Sequence, residues 1–304
     1  MISTVRIWVD KIISNPMVEG RRTRALARAI KWQLGKRLGF GRALVEIGPA
    51  HIYCYPGHAA ASGALYTGFM EWDEMSFTVR FLRADDHFVD VGANVGTSSV
   101  FAAAFAPGVR VTSVEPGDAA RRRLTENLAL NGLAVDRVVS SAIGPTQGHA
   151  RFTIGQDTLN SLAEDVAPDT VEVDVTTLDA LTAGDRPALV KIDVEGAELE
   201  VLKGAIEVLR SKPSPTLIME LNGLCERFGA SPTMIRDHLA RFGYTLYEYD
   251  GRSNELTPFT ADGLPDSKNV IATNDVDGVR KRLNGDRNWQ DLSNVPISAR
   301  LQRV

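Results

Sequence analysis

The side chains with the clearest chemical potential lie in a glycine-containing turn that follows a short apolar strand. Residues 88–96 read FVDVGANVG, so the strand reaches Asp90 and then a turn that begins at Gly92. A second apolar stretch, VRVTSVEP at 109–116, ends on Glu115. Parallel α/β sheets bind ligands at the carboxyl ends of their strands, and glycine lets the backbone approach a ligand where a Cβ would collide. The spacing therefore predicts a nucleoside-type cofactor whose ribose hydroxyls donate to the Glu115 carboxylate.

Two nucleoside cofactors fit this order of elements, NAD and S-adenosylmethionine (SAM). The dinucleotide fingerprint G-x-G-x-x-G needs a second glycine where Asn94 stands. Asp90 would repel a pyrophosphate but would attract the ammonium group of SAM. No Gly-Lys-Ser/Thr follows, which excludes a P-loop. We therefore expect SAM, with NAD, or a turn that only packs a helix onto a sheet, as the alternatives. The candidate cofactor-binding residues are Asp90, Gly92, Asn94, Gly96, Glu115, Ser141 and Ala142.

Three carboxylates end neighbouring strands further along the chain. Asp193 and Glu195 follow the apolar run before KIDVEG at 191–196, and Glu220 ends the next strand. A carboxylate with a raised pKa could take the proton of an attacking hydroxyl. The three together could instead hold Mg²⁺, which would orient and acidify a hydroxyl. A third interpretation is that Asp193 and Glu195 only complement the dipole of the following helix.

Composition indicates an ordinary globular chain. The net charge is −4 over 304 residues, so no nucleic-acid partner is expected. Cys54 and Cys225 have neither metal-ligand nor disulfide spacing, which is typical of reduced thiols. No segment approaches the ~18 apolar residues of a membrane span. We expect a cytoplasmic protein with peripheral membrane contact as an option, and an oligomeric state that the sequence leaves open.

The chain divides into three zones: an N-terminal extension at 1–80, an alternating strand and helix region at 81–275, and a polar tail at 276–304. Alternation predicts an α/β fold with a mostly parallel sheet and helices on both faces. An insertion at 149–177 interrupts it with a predicted antiparallel hairpin. Strands are predicted at 87–91, 109–114, 137–142, 188–193, 216–221, 244–249 and 269–273, and helices at 97–106, 118–130, 197–210 and 232–242.

The N-terminal extension contains a basic amphipathic helix. Leu26, Ile30, Leu34 and Leu38 recur every four residues between arginines and lysines. We expect these apolar side chains to pack on the main domain and the basic face to be solvated. The alternative is that the segment at 21–42 lies on an anionic membrane surface or a lipid-linked substrate.

The motifs resemble those of the FkbM family of SAM-dependent methyltransferases, over about 66–222. The matching stretches are FVDVGANVG (88–96), SVEP (113–116), ENLALNG (126–132), SAIG (141–144), VTTLDAL (175–181), KIDVEGAELEVLKGA (191–205) and IMEL (218–221). The resemblance implies a class I methyltransferase fold, with a seven-stranded sheet and an antiparallel final strand. It also implies O-methylation, commonly of a hydroxyl of a sugar, a glycolipid or a polyketide-like natural product.

Acceptor-binding candidates lie on two segments. The family carries an acidic pair ahead of the cofactor strand, which implies that Glu71 or Glu74 closes over SAM or binds a sugar. Trp72 could supply an apolar face for a pyranose ring, and the tip of the insertion could reach the acceptor. The substrate candidates are Tyr66, Glu71, Trp72, Glu74, Asn160 and Ser161.

Two other functions remain open. One is an RNA or N-methyltransferase on the same fold, although DVEG stands where such enzymes usually carry an Asn-Pro-Pro-Tyr-like loop. The other is a non-catalytic module that binds the cofactor or a membrane surface through the basic helix.

Overall fold

The computed structural model describes residues 2–57, 59–153, 169–259, 267–285 and 292–303. The helices are α1 (Ile2–Ser14), α2 (Arg22–Arg37), α3 (Ala59–Thr67), α4 (Trp72–Phe81), α5 (Thr97–Phe105), α6 (Asp118–Leu130), α7 (Leu178–Leu181), α8 (Glu198–Lys203), α9 (Ile206–Arg210), α10 (Pro232–Ala240) and α11 (Val276–Leu283). The strands are β1 (Arg42–Ile47), β2 (Ala50–Cys54), β3 (His87–Val91), β4 (Arg110–Val114), β5 (Val138–Val139), β6 (Ala142–Ile143), β7 (Gly148–Thr153), β8 (Thr170–Thr176), β9 (Leu189–Ile192), β10 (Thr216–Asn222), β11 (Thr245–Asp250), β12 (Glu255–Pro258), β13 (Ser267–Thr273) and β14 (Ile297–Gln302).

The central sheet has the strand order β12-β11-β13-β10-β9-β3-β4-β5. The run from β10 to β5 is parallel, and β13 inserts antiparallel between β10 and β11. The expected class I methyltransferase fold, a mostly parallel sheet with an antiparallel strand, is confirmed. Among the described residues the sheet has eight strands where seven were predicted, because β12 joins it as a hairpin partner of β11. The carboxyl ends of β3, β4, β9 and β10 therefore share one edge of the sheet.

Both faces of this sheet are buried, which explains why its inner strands are apolar throughout. All five residues of β3 are buried. Val89 and Val91 pack into one hydrophobic cluster with β9 and β10, whereas Phe88 packs on the other face against α4 and α11. This alternation along the strand places the Asp90 side chain on the same face as Phe88.

The insertion forms the expected hairpin, because β7 and β8 pair antiparallel from Gly148↔Val175 to Thr153↔Thr170. Two other predicted elements are divided. The strand expected at 137–142 consists of β5 in the central sheet and β6 beside β8. The helix expected at 197–210 is broken into α8 and α9 at Gly204, where the backbone packs so closely on Gly144 that a Cβ would lie 2.1 Å from its carbonyl oxygen.

The two ends of the chain meet in a separate sheet of order β14-β1-β2, and α2 packs nearby through Ala25, Ala29, Trp32 and Gly35. The expectation that the apolar residues at four-residue spacing face the domain is wrong for three of them. Ile30, Leu34 and Leu38 are 56%, 51% and 68% exposed. Small residues on the opposite face let α2 approach β14 closely instead. A Cβ on Gly35 would lie 2.6 Å from the Leu301 side chain of β14.

None of the helices in the described ranges combines the length and the apolar composition that crossing a membrane requires.

Candidate functional site

A cleft of about 590 Å³, open to solvent at its mouth, lies at the carboxyl ends of β3, β4 and β9. Apolar walls come from β3, β4, β6 and the inner end of β7. Six of the residues that the sequence singles out line this cleft: Gly92, Asn94, Glu115, Ala142, Asp193 and Glu195. The predicted cofactor turn and two of the predicted catalytic carboxylates therefore face one space.

The turn after β3 is held by its contacts with the two neighbouring strands. The N–H groups of Gly92 and Ala93 both donate to the carbonyl oxygen of Val114, which ties the turn to β4. Gly92 has φ 84°, and a Cβ there would lie 1.8 Å from the carbonyl oxygen of Asp193. Glycine is therefore required at Gly92 for both its conformation and its contact with the segment after β9.

Glu115 directly follows β4, and the backbone holds its carboxylate in place. One carboxylate oxygen accepts from the N–H of Asn94 at 2.9 Å, and the other accepts from the N–H of Gly117 at 2.7 Å. Burial raises the pKa of Glu115 to about 7, although these two N–H groups act in the opposite direction. Each carboxylate oxygen has a second lone pair, so the group can still accept from two ligand hydroxyls.

Three predicted cofactor residues, Asp90, Gly96 and Ser141, lie outside the lining of this cleft. Asp90 is fully buried and accepts a hydrogen bond of 2.6 Å from the Ser99 hydroxyl of α5. Burial raises its pKa, with Lys191 and Ser99 opposing that effect. The Asp90 side chain therefore joins β3 to α5 beneath the turn.

The three predicted catalytic carboxylates converge. Asp193, Glu195 and Glu220 each present one oxygen, and these oxygens lie within 4.8 Å of one another. Burial, together with the negative charges of Asp193 and Glu220, raises the pKa of Glu195 to about 8. Such a cluster has the ligand chemistry of a hard divalent cation, and Glu195 has the pKa of a general base.

A buried lysine that sequence reasoning missed lies beside this cluster. Lys191 of β9 is 4% exposed, and its Nζ donates to Asp193 at 2.6 Å and lies 3.7 Å from Glu74. Burial alone would lower its pKa, but the surrounding carboxylates, led by Asp193 and Glu74, together raise the pKa well above its ordinary value. The lysine therefore remains charged. Glu74, itself buried, also accepts from the Asn269 amide at 2.9 Å. A lysine inside the otherwise apolar strand LVKI was the available signal.

Three acceptor candidates of α4 and the turn before it, Glu71, Trp72 and Glu74, line a second cavity. This cavity, of about 1670 Å³ and widely open to solvent, lies between the N-terminal helix, α4 and the β11–β12 hairpin. Its acidic lining residues outnumber its basic ones: Glu71, Asp73, Glu74, Glu248, Asp250 and Glu255 against Lys11 and Arg252. Lys191 lies between the two linings, because it contacts Glu74 of this cavity and Asp193 of the cofactor cleft.

The remaining acceptor candidates do not join this arrangement. Tyr66 lines a third cavity, of about 930 Å³, between α1, α2 and α3, where its hydroxyl accepts from the Gln33 amide at 2.9 Å. Asn160 and Ser161 lie outside the described residues.

Comparison with known proteins relates this geometry to a family. The profile of the Methyltransferase FkbM domain matches residues 90–246, more than half of the chain. The Hexuronic acid methyltransferase AglP of Haloferax volcanii is 30% identical over 154 residues, which cover 46% of this chain and 59% of that protein. The chain thus spans less than two thirds of this curated relative.

Solved structures with a similar arrangement are distant. A Precorrin-6y C5,15-methyltransferase from Geobacter metallireducens GS-15 is 16% identical, with a TM-score of 0.36 over 66% of this chain and 84% of that one. The O-methyltransferase TomG of Streptomyces achromogenes, solved in complex with SAM, is 14% identical, with a TM-score of 0.35 over 66% and 78%.

Proposed function

The chain belongs to the FkbM methyltransferase family, and from this premise we propose that it transfers the methyl group of SAM to a hydroxyl of a sugar-containing acceptor. The observation that carries the proposal is the shared cleft, where Glu115 and the turn after β3 face the same space as Asp193 and Glu195. A candidate ribose-binding carboxylate and a candidate base thereby line the same cleft.

The donor side of the cleft fits SAM in charge and in hydrogen bonding. Glu115 offers acceptor lone pairs for the two ribose hydroxyls. The side-chain oxygen of Asn94 is buried without a hydrogen-bond partner among the described residues, so it can accept from an ammonium group of the ligand. The carboxyl groups of Asp193, Glu195 and Glu115 line the cleft, and in their ionised forms they supply negative charge that suits a sulfonium cation. When bound, SAM supplies the electrophilic methyl group.

Glu195 is the proposed general base. An alcohol is a weak nucleophile and must lose its proton as it attacks. Once ionised, a carboxylate whose pKa is about 8 is a stronger base than an ordinary glutamate, so it binds the hydroxyl proton more strongly. Asp193, held at 2.6 Å by Lys191, remains an oriented hydrogen-bond acceptor next to it. The hydroxyl proton would thus pass to the Glu195 carboxylate while Asp193 positions the sugar that receives the methyl group.

The same carboxylates could bind Mg²⁺, but the contact between Asp193 and Lys191 favours the role of Glu195 as a general base. Asp193 already has a cationic partner in the buried Lys191, which reduces the charge that is left to attract a metal ion. Methyl transfer that persists after treatment with EDTA would support the base. Activity that is lost with EDTA and restored by Mg²⁺ would support the metal instead.

The acceptor is proposed to be a neutral or amine-bearing sugar. The second cavity, whose Glu74 shares the buried Lys191 with Asp193, carries an excess of acidic side chains. The excess remains without Glu71 and Glu74, whose pKa values burial raises, because Asp73, Glu248, Asp250 and Glu255 still outnumber Lys11 and Arg252. Such a lining disfavours an anionic acceptor and attracts a cationic one. The acceptor would in this respect differ from the hexuronic acid named for the relative AglP.

Labelled SAM offered with matched neutral, amino and uronic sugars, free or as glycosides, tests this function. Methyl incorporation should favour the neutral and amino sugars, and Glu195→Gln should lower kcat by about 10²–10⁴-fold. Glu200→Gln, on α8 outside the cleft lining, serves as the matched control and should retain activity. Failure to bind S-adenosylhomocysteine would reject the methyltransferase assignment itself, whereas a preference for uronic sugars would reject only the acceptor class.

A further inference from the structure

The exposed face of α2 combines apolar and cationic side chains in one stripe. Ala27, Ile30 and Leu34 of α2 and its C-cap residue Leu38 recur at three- and four-residue spacing, so they lie along one side of the helix. All four are exposed, and the three large ones are among the few exposed large apolar residues of the described chain. This face is turned away from α1, α3 and β14, against which α2 packs.

Cations flank the stripe on both sides. Arg24 and Lys31 lie along one edge and Arg37 along the other, and all three are exposed. None of them has an ion-pair partner among the residues that the structure describes. Other arginines of the segment have structural contacts: Arg28 donates to the carbonyl oxygens of Leu65 and Tyr66.

The segment contains no compensating negative charge. Residues 20–42 carry eight arginines and lysines and no acidic residue, whereas the whole chain has a net charge of −4. Because the chain as a whole is negatively charged, its overall charge would not attract anions. The positive potential is therefore local to this segment. An anionic surface with an apolar interior matches both properties of the stripe, because headgroups can pair with the cations while the apolar side chains enter the acyl boundary.

We propose that α2 docks the protein on an anionic lipid bilayer, with Ile30, Leu34 and Leu38 inserted at the headgroup boundary and Arg24, Lys31 and Arg37 paired with lipid phosphates. An RNA partner would use the cations but would leave the apolar residues in water. A second copy of this chain would bury the apolar residues but would bring the like charges of two helices together. The bilayer accommodates both sets of side chains.

Flotation of the full-length protein with vesicles tests the proposal without requiring an acceptor. The protein should float with mixed phosphatidylcholine–phosphatidylglycerol vesicles and remain unbound with phosphatidylcholine alone. Raising the salt concentration should weaken binding, because exposed charges are screened. The combined variant Arg24→Gln, Lys31→Gln and Arg37→Gln should reduce partitioning on the order of 100-fold. The combined variant Ile30→Ser, Leu34→Ser and Leu38→Ser should reduce it at least tenfold.

Matched controls lie elsewhere on the surface. Val135→Ser combined with Met234→Ser removes comparably exposed apolar side chains, and Arg210→Gln removes an exposed cation; all should bind vesicles like the wild type. Because the substituted side chains are exposed, thermal unfolding should be unchanged in both α2 variants.

Three results would overturn the inference. The first is an absence of flotation with anionic vesicles. The second is a dimer in solution that the apolar triple variant dissociates, which would assign the stripe to a second copy of the chain. The third is salt-sensitive RNA binding that the charge variant abolishes while the apolar variant leaves both RNA and vesicle binding intact.

Discussion

Replacing Glu115 by glutamine is expected to weaken the binding of S-adenosylhomocysteine by about 30- to 1000-fold. Both carboxylate oxygens accept backbone N–H groups, from Asn94 and Gly117. A glutamine has one acceptor oxygen, so its NH₂ group would face one of these donors and the side chain would turn away. Hydrogen bonds to a charged group contribute about 1.5–3 kcal/mol each, so disturbing the pair of ribose contacts should cost about 2–4 kcal/mol of binding free energy.

The pH dependence of the same binding gives a second measure of Glu115. Burial raises its pKa to about 7, so its ionised fraction increases from about one tenth at pH 6 to about nine tenths at pH 8. Since the ionised carboxylate is the better acceptor for ribose hydroxyls, wild-type affinity should rise about tenfold over this interval. Glu115→Gln should lack this rise. Isothermal titration at the two pH values measures both effects.

Glu198→Gln is the matched control for this experiment. Glu198 is 1% exposed, has a pKa raised to about 7 chiefly by burial, and accepts a backbone N–H from Gly196, yet it does not line the cofactor cleft. It therefore reports on the loss of a buried carboxylate without a ligand contact. Unchanged affinity in Glu115→Gln, or an equal loss in Glu198→Gln, would refute the assignment of Glu115 to the ribose.

Three further outcomes are expected. Gly92→Ala places a Cβ 1.8 Å from the Asp193 carbonyl oxygen at φ 84°; it should lower the free energy of unfolding by more than Gly132→Ala, where φ is also positive but the space is open and the strain is about 1–2 kcal/mol. Lys191→Met leaves buried carboxylates without their cation and should lower the free energy of unfolding by about 3–5 kcal/mol. Unchanged denaturant unfolding curves would show that the ion pairs are not stabilising. Burial raises the pKa of Glu198 to about 7, so the native state binds this proton more tightly than the unfolded chain does. The associated stability is present below the ordinary glutamate pKa and is lost as the pH rises through about 7. The free energy of unfolding of Glu198→Gln should therefore fall less steeply with rising pH than that of the wild type over this range. An equal fall in both proteins would contradict the reasoning.

The convergence of most candidate cofactor and catalytic residues on one cleft could be predicted because its determinants are local in sequence. The turn, Glu115 and the two carboxylates after β9 each follow directly from a strand end, and parallel strands bring their carboxyl ends together at one edge. The structure accordingly brings Gly92, Asn94, Glu115, Asp193 and Glu195 to one cleft. The strand order is a consequence of the same alternation of elements.

The second cavity and its link to Asp193 could not be predicted in the same way, because they depend on contacts between distant segments. Lys191 acquires its role from Glu74, which lies on a helix well before it in the chain. The orientation of α2 depends on which face allows closer packing. The face with Ala25, Ala29 and Gly35 is buried, and the face with the larger apolar side chains is exposed. The break at Gly204 likewise arises from a backbone contact with Gly144. Periodicity contains no information about such partners.

The contact of Gly92 with the carbonyl of Asp193 has a consequence for engineering. The segment that would cradle the methyl donor and the segment that bears the candidate base touch through main-chain atoms, so neither can be displaced without the other. Donor geometry and proton acceptance would consequently vary as a unit. The proposed acceptor site is less restrained, because most of the second cavity is built from side chains of α1, α4 and the β11–β12 hairpin. Changes of acceptor specificity should therefore be sought on those walls away from Glu74, where substitutions do not touch Lys191 or its contact with Asp193.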